Sequence, residues 1–226
     1  PAPAYVKGET VDEVGGGICQ TSSTLYLACL LSNLEITERY AHRYVPAYIS
    51  PGMDATVSWG GPDYKFTNNT LYPIKIVTSY SGGYLTVKIL GTKTDSTYVK
   101  MTNEKLSTTN YEVVYEDDDT LAPGTEQVKT TPYTGSKWKT YRNIYDANGK
   151  LISSTYEATS DYKSRNKVIL RGPAVQPGST PADTPASNPS TTPAESETPT
   201  TEPSTPPAES ETPTTIVVLP ESEGAE

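Results

Sequence analysis

Three consecutive glycines, Gly15-Gly16-Gly17, run into Ile18-Cys19-Gln20 and then into the apolar stretch Leu25-Tyr26-Leu27-Ala28-Cys29-Leu30-Leu31. Glycine reaches backbone conformations closed to other residues, so a glycine run that ends where a 3.6-residue apolar period begins marks a helix start. The pattern predicts a helix from Cys19 to about Asn33, with Cys19 at its N-terminus. Cys19, Ser22, Ser23, Tyr26, Leu30 and Asn33 share one side, and the apolar stripe is expected to pack against a sheet, leaving the first turn for chemistry. A thiol at that position meets unpaired N–H groups and the positive end of the helix dipole, which favour its anion. Two readings of Cys19 stand: a nucleophile, or a small buried apolar residue behind a tight turn.

Charge is distributed unevenly. The formal net charge is −9, and the acidic residues beyond Arg171 account for the whole excess of 27 acidic over 18 basic groups. No cluster of Lys and Arg is present, which argues against nucleic acid as a partner. Tyrosine is over-used, with 17 Tyr against 1 Phe and 2 Trp. That suits half-wet sheets, and also surfaces that stack on sugars or peptides. Cys19 and Cys29, roughly 15 Å apart if they share one helix, are beyond disulfide reach and are expected to be free thiols. With a single histidine, His42, the usual zinc ligand set is lacking, and neither a metal nor a cofactor is expected. The longest apolar run is too short for a membrane span. The chain opens at Pro1-Ala2-Pro3 without an initiator methionine and reads as a piece of a longer protein.

Beyond the helix the character changes to strands. Residues 34–38 alternate, 40–49 are aromatic and β-branched, and the turn Pro51-Gly52 precedes an expected strand over 55–59. Residues 64–66 and 74–77 follow, and Ser81-Gly82-Gly83 closes the clearest hairpin of the chain onto residues 84–90. Residues 91–110 are polar, which places a linker at 99–108. Five further strands are expected at 111–115, 126–130, 137–145, 150–156 and 167–170, with turns at Ala122-Pro123-Gly124, Thr134-Gly135 and Ala147-Asn148-Gly149. This second block has no His and no Cys, so binding or spacing is its natural role. From Gly172 the chain is Pro, Thr, Ser, Glu and Ala, and a nonapeptide beginning at Pro193 recurs at residues 207–215. Such a tail cannot bury enough apolar surface to offset the entropy of ordering and is expected to be a disordered stalk.

A nucleophilic Cys19 needs a base, and His42 is the only imidazole. The order is a cysteine at a helix N-terminus, then His42, then Asp54 or Asp63. That is the layout in which a thiolate pairs with an imidazolium held by a third polar group. Gln20, the Gly17 backbone, Ser22 or Ser23 are the oxyanion candidates. The plainer readings are a structural His42 on a strand, and turn chemistry for both aspartates. No acid pair has a distinctive spacing, so a glycosidase-like site has less support.

The string Gly15-Gly16-Gly17-Ile18-Cys19-Gln20, Ser23-Thr24-Leu25-Tyr26, His42, Pro51-Gly52, Asp54-Ala55-Thr56-Val57, Asp63, Lys65-Phe66, Asn68-Asn69 and Pro73-Ile74 resembles the VanW family, named from vancomycin-resistance gene clusters. The likeness spans roughly residues 3–90, with the family's upstream part missing. It implies a Gram-positive envelope protein and no particular reaction. Residues 109–172 resemble the G5 domain, with Gly124, Gly135, Asn148-Gly149 and Gly172 where the pattern wants them, and Thr131-Pro132-Tyr133-Thr134 where a further glycine is expected. That resemblance implies a module that binds N-acetylglucosamine-containing polymer. Tyr133, Trp138 and Tyr141 are its candidate stacking residues.

The sequence therefore predicts an α+β protein: an N-terminal helix packed on an antiparallel sheet, then an elongated all-β module, then a disordered tail. Its parts are a VanW-like domain over 1–98, truncated on its N-terminal side, a linker over 99–108, a G5-like domain over 109–172 and a stalk over 173–226. The expected setting is extracellular and wall-associated, with peptidoglycan as partner and no membrane span. Either Cys19, His42 and Asp54, with Gln20 at the oxyanion, carry out peptidoglycan transpeptidation or amide hydrolysis, or the first domain only binds.

Overall fold

The computed structural model describes residues 17–175 throughout and the strand backbone of residues 2–6, 9–13 and 214–218. Gly15, Gly16 and most of the predicted stalk, including the first copy of its nonapeptide and most of the second, lie outside the described residues.

Strands β1 (Ala2–Val6) and β2 (Glu9–Glu13) pair antiparallel ahead of the one long helix among the described residues, α1 (Ile18–Leu31). Gly17 caps α1 with φ at 84°, in the left-handed region that favours glycine. At the other end Asn33, with φ 57°, bonds back to the Leu30 carbonyl while Leu34 N–H bonds to the Cys29 carbonyl. This is a Schellman ending, and it folds the buried Leu34 side chain under the helix.

Strand β3 (Glu35–Glu38) then pairs antiparallel with β4 (Lys65–Thr67). β5 (Ile74–Ser81) and β6 (Tyr84–Gly91) form the expected hairpin, and Gly82 and Gly83, at φ 57° and 82°, supply the two left-handed positions of its turn. Ala28, Cys29 and Leu34 of the helical unit pack on Val87 and Ile89 of β6, with Phe66 and Ile74 beside them. Tyr26 and Leu30 look another way, onto Met53 and Ala55. The helix is thus buried on two sides, and its sheet-facing stripe is only one of them.

Residues 39–64 depart from expectation. The strands predicted at 40–49 and 55–59 are irregular chain, because Pro46, Pro51 and Pro62 remove ladder donors and Gly52 takes φ 85°. The segment is held mainly by specific bonds rather than a ladder, Thr56 N–H to the Tyr40 carbonyl at 2.9 Å among them, and it wraps the first turn of α1.

The predicted linker at 99–108 is instead most of β7 (Tyr98–Thr109). Its side chains are polar, and what makes it a strand is main-chain pairing along its length with the strand over residues 135–145. β8 (Val113–Asp117) and β9 (Glu126–Thr130) follow, then the long antiparallel pair β10 (Gly135–Tyr145) and β11 (Leu151–Tyr162), then β12 (Lys167–Arg171). Sheet order is β11-β10-β7 in one sheet and β8-β12-β9 in another, with β12 parallel to β8 and antiparallel to β9. Gly135 is no turn: it opens β10, where a Cβ would sit 2.6 Å from the Ser164 nitrogen.

Within the tail expected to be disordered, β13 (Thr214–Val218) pairs parallel with β6. This run of Thr, Ile and Val is the one β-prone stretch in an otherwise Pro-rich sequence.

Candidate active site

The two blocks meet along a seam of specific contacts. Gly52 lies so close to β10 that a Cβ there would fall 2.4 Å from the Thr140 methyl group, so only glycine lets the loop carrying Asp54 lie against the second block. Asn103 Nδ2 donates to the Pro51 carbonyl at 2.8 Å, and Arg142 Nη1 donates to the Leu34 carbonyl at 2.9 Å.

Cys19 occupies the first turn of α1, half-buried, with Ile18 exposed beside it. The first intrahelical bond runs from Thr21 N–H to the Gly17 carbonyl, so the N–H groups ahead of it lie outside the helical ladder, pointing toward the site end of the helix. The Cys19 sulfur lies 3.5 Å from Thr56 Oγ1 and 3.4 Å from the Val57 carbonyl. The His42 ring lies near the same sulfur and acts on its titration.

His42 Nδ1 stands 2.7 Å from Asp54 Oδ2, and its backbone N–H donates to that oxygen at 2.7 Å. An ionised carboxylate only accepts, so Nδ1 carries a proton and Nε2 is left to face Tyr48 Oη, at 3.3 Å, and the thiol. Asp54 Oδ1 takes the other two donors, Arg39 Nη2 at 2.8 Å and the Tyr162 hydroxyl at 2.5 Å. Four donors on two oxygens saturate the carboxylate, whose side chain is fully buried while that of His42 is 20% exposed. The line Asp54, His42, Cys19 therefore runs from the interior toward solvent.

The titrations follow from these contacts. Burial alone pushes the Cys19 thiol up, but its contacts with His42, Thr56 and the Val57 backbone, with the charge of His42, bring it down to about 7. Burial pushes His42 down, and its contacts with Asp54 and Cys19 outweigh that and raise it to about 9. Asp54 is held down at about 2, burial being overcome by His42 and the Arg39 guanidinium. Between the first two values the thiol and the imidazole exist together as a thiolate–imidazolium pair, whose titration belongs to the pair. Beside it lies a second neutralised pair, Arg39 with Asp54, so the site carries no net charge.

Of the sequence candidates, the structure brings Cys19, His42 and Asp54 together and leaves Asp63 outside, exposed and bonded to Tyr64 N–H at 2.8 Å in its own turn. Gln20 sits half-buried in the helical turn beside Cys19. Ser22 and Ser23 are not oxyanion donors: Ser22 Oγ donates to the Ala55 carbonyl at 2.6 Å and Ser23 Oγ to the Cys19 carbonyl at 2.7 Å. They tie the first turn of α1 to the segment that carries Asp54. Arg39, Tyr48, Thr56, Ser160 and Tyr162 were not foreseen. An arginine three residues before the only histidine was a usable signal for Arg39; nothing local points to Tyr162, which is 108 residues from Asp54.

The three stacking candidates do not form one platform. Tyr133 stacks on Tyr44 with ring centroids 5.1 Å apart and lies beneath Arg165. Trp138 and Tyr141 are an odd number of residues apart on β10 and so project from opposite faces. Trp138 Nε1 donates to Ser136 Oγ, with Lys105 over its ring, and Tyr141 Oη donates to Glu104. Among the described residues no group of His, Cys, Asp and Glu is placed to hold a metal ion, and no helix is long and apolar enough to cross a membrane.

Comparison with known proteins finds matches to two successive stretches of the chain. Residues 1–90 match the family model described as VanW like protein, and residues 99–174 match the G5 domain model. The uncharacterized protein YoaR of Bacillus subtilis (strain 168) is 49% identical over 88 residues, which cover 39% of this chain and 29% of that protein. The chain thus spans under a third of that curated relative's length. Among solved structures, an IgA1 protease G5 domain is similar at 17% identity over 36% of this chain and 98% of its own, with a TM-score of 0.25. A second, HP0197-G5, is similar at 14% identity over 34% of this chain and 97% of its own, with a TM-score of 0.20. The chain carries a VanW-like region followed by a G5 domain.

Proposed function

We propose that this protein is a cell-envelope acyl transferase or amide hydrolase that acts on cell-wall peptide through Cys19, His42 and Asp54. The observation that carries the reading is a half-buried thiol with its pKa drawn down by an imidazole whose Nδ1 is bonded to a saturated, buried carboxylate. In the reaction the Cys19 thiolate attacks a peptide carbonyl carbon. The oxygen that becomes anionic faces donors of the α1 N-terminal turn and Gln20. The His42 imidazolium gives its proton to the departing amine, leaving a thioester on Cys19. Water or a second amine then attacks the thioester, His42 takes the proton of that nucleophile, and the thiolate is restored. Water gives hydrolysis; an amine gives transpeptidation.

The G5 domain supplies the wall partner in this reading, peptidoglycan or another N-acetylglucosamine-containing polymer, outside the cell. The pairing of a VanW-like region with a G5 domain supports that location.

Incubation of the full chain with soluble disaccharide-peptide fragments of peptidoglycan, followed by intact mass measurement, should capture an acyl adduct on Cys19. The adduct should disappear in Cys19→Ala and become scarce in His42→Ala. No adduct and no altered peptide across the range between the two titrations would reduce the first region to a binding module. Retention on purified, insoluble peptidoglycan tests the wall partner separately; recovery only in the unbound fraction would remove it.

A further inference from the structure

We infer that the second block completes the site: Tyr162, with Ser160 beside it on β11, is a positioning residue that fixes the Asp54 carboxylate for His42. The inference rests on the Cys19–His42 reading above. Tyr162 and Ser160 are two residues apart on one strand, so both point from the same face, and each is only 1% exposed. The Tyr162 hydroxyl accepts from Gly52 N–H at 2.6 Å and donates to Asp54 Oδ1 at 2.5 Å. It therefore clamps the loop and the carboxylate at once. Ser160 Oγ accepts from Arg39 Nη1 at 2.8 Å, steadying the guanidinium that holds the same carboxylate oxygen.

The geometry says what is lost without the hydroxyl. His42 needs Asp54 Oδ2 in one place, because that oxygen takes both its backbone N–H and Nδ1. A carboxylate is free to turn about its last bond unless its other oxygen is fixed. Arg39 is one tether on Oδ1, and Tyr162 is the other. The first region alone contains the three reacting groups, yet one of the two donors that fix Asp54 Oδ1 comes from the second block.

The test is the pH profile of Cys19 in the full chain, read as thiolate ultraviolet absorbance and as alkylation rate. Tyr162→Phe removes only the hydroxyl. Its acid limb should move up by roughly half to one pH unit, with the thiolate fraction at pH 7 falling about two- to fivefold. Ser160→Ala should move it the same way by less, and serves as the deciding arm if Tyr162→Phe does not fold. Asn103→Ala removes another bond across the same seam without touching Asp54 and should superpose on wild type. A Tyr162→Phe profile superposed on wild type overturns the inference, as does an Asn103→Ala profile displaced equally far, since that would be general loosening. If Tyr162→Phe does not fold, a Ser160→Ala profile superposed on wild type overturns it. A wild-type thiol that titrates like free cysteine, unchanged in His42→Ala, overturns the reading beneath it as well.

Discussion

Helix α1 carries two cysteines, and its two ends treat the same chemical group in opposite ways. Cys19, in the first turn, is half-exposed and drawn down to about 7 by His42 and the hydroxyl and backbone around it. Cys29, nearly three turns on, is sealed among Ala28, Leu34, Val87 and Ile89, and burial pushes it up to about 11. Burial that Tyr64 and the charge of Arg142 do not offset makes an inert thiol; a partly exposed thiol beside an imidazole makes a nucleophile. What separates the two is the irregular chain of residues 39–64, which brings His42 and Thr56 to one end of the helix only.

The contrast is broken most severely at its root. Asp54→Ala strips the buried Arg39 of its carboxylate, and removing one partner of a buried pair costs about 3–5 kcal/mol, measurable by urea unfolding. A variant that unfolds at the same midpoint as wild type would mean that Arg39 finds another partner. Alkylation of the native protein at pH 7 should label Cys19 at least about a hundredfold faster than Cys29, even after allowing for the weaker nucleophilicity of a low-pKa thiolate. Peptide mapping of the label decides this, and comparable labelling would erase the distinction.

Stability sharpens the same comparison. Cys29→Ser places a hydroxyl in a cluster whose polar neighbour is the buried Tyr64 hydroxyl and should cost about 1–3 kcal/mol, whereas Cys19→Ser should stay within about 0.5 kcal/mol. Thermal unfolding of the two variants side by side reads the difference. Gly17→Ala should cost about 1 kcal/mol, all of it backbone strain, since a Cβ there meets nothing within 4 Å.

The pH dependence of unfolding has two opposed parts. His42 is raised from 6.5 to about 9, so its contribution is complete below pH 6.5 and lost as pH rises through 9. Cys19 is lowered from 9.0 to about 7, so its contribution is complete above pH 9 and lost as pH falls through 7. Catalysis by the pair should therefore peak between the two values, while His42→Ala should lose the alkaline limb of the stability profile. A flat profile in both proteins would show that the two groups do not sense each other.

Much of this was legible in the residues. The glycine run set the start of α1, and a lone histidine left no other base. The alternating second block gave its strands, since main-chain ladders with period-two side chains leave a local trace. The misreadings share a cause. The strands expected at 40–49 and 55–59 are loop because prolines deny the ladder its donors, and the polar β7 carries no local strand signal because its stability comes from pairing with β10. Tyr133 looked like a ligand platform, but Tyr44 and Arg165 pack against its ring.

What the sequence by itself determined is the chemistry available: one thiol where a helix begins, one imidazole, and a short choice of carboxylates. What only the tertiary structure decided is which of them meet. Asp54 rather than Asp63 became the partner because the 39–64 loop folds it inward beneath Arg39, with the Tyr162 hydroxyl arriving from 108 residues away. Periodicity and composition report on near neighbours along the chain, whereas a hydrogen bond formed by two chain segments that close on each other depends on the path of everything between them.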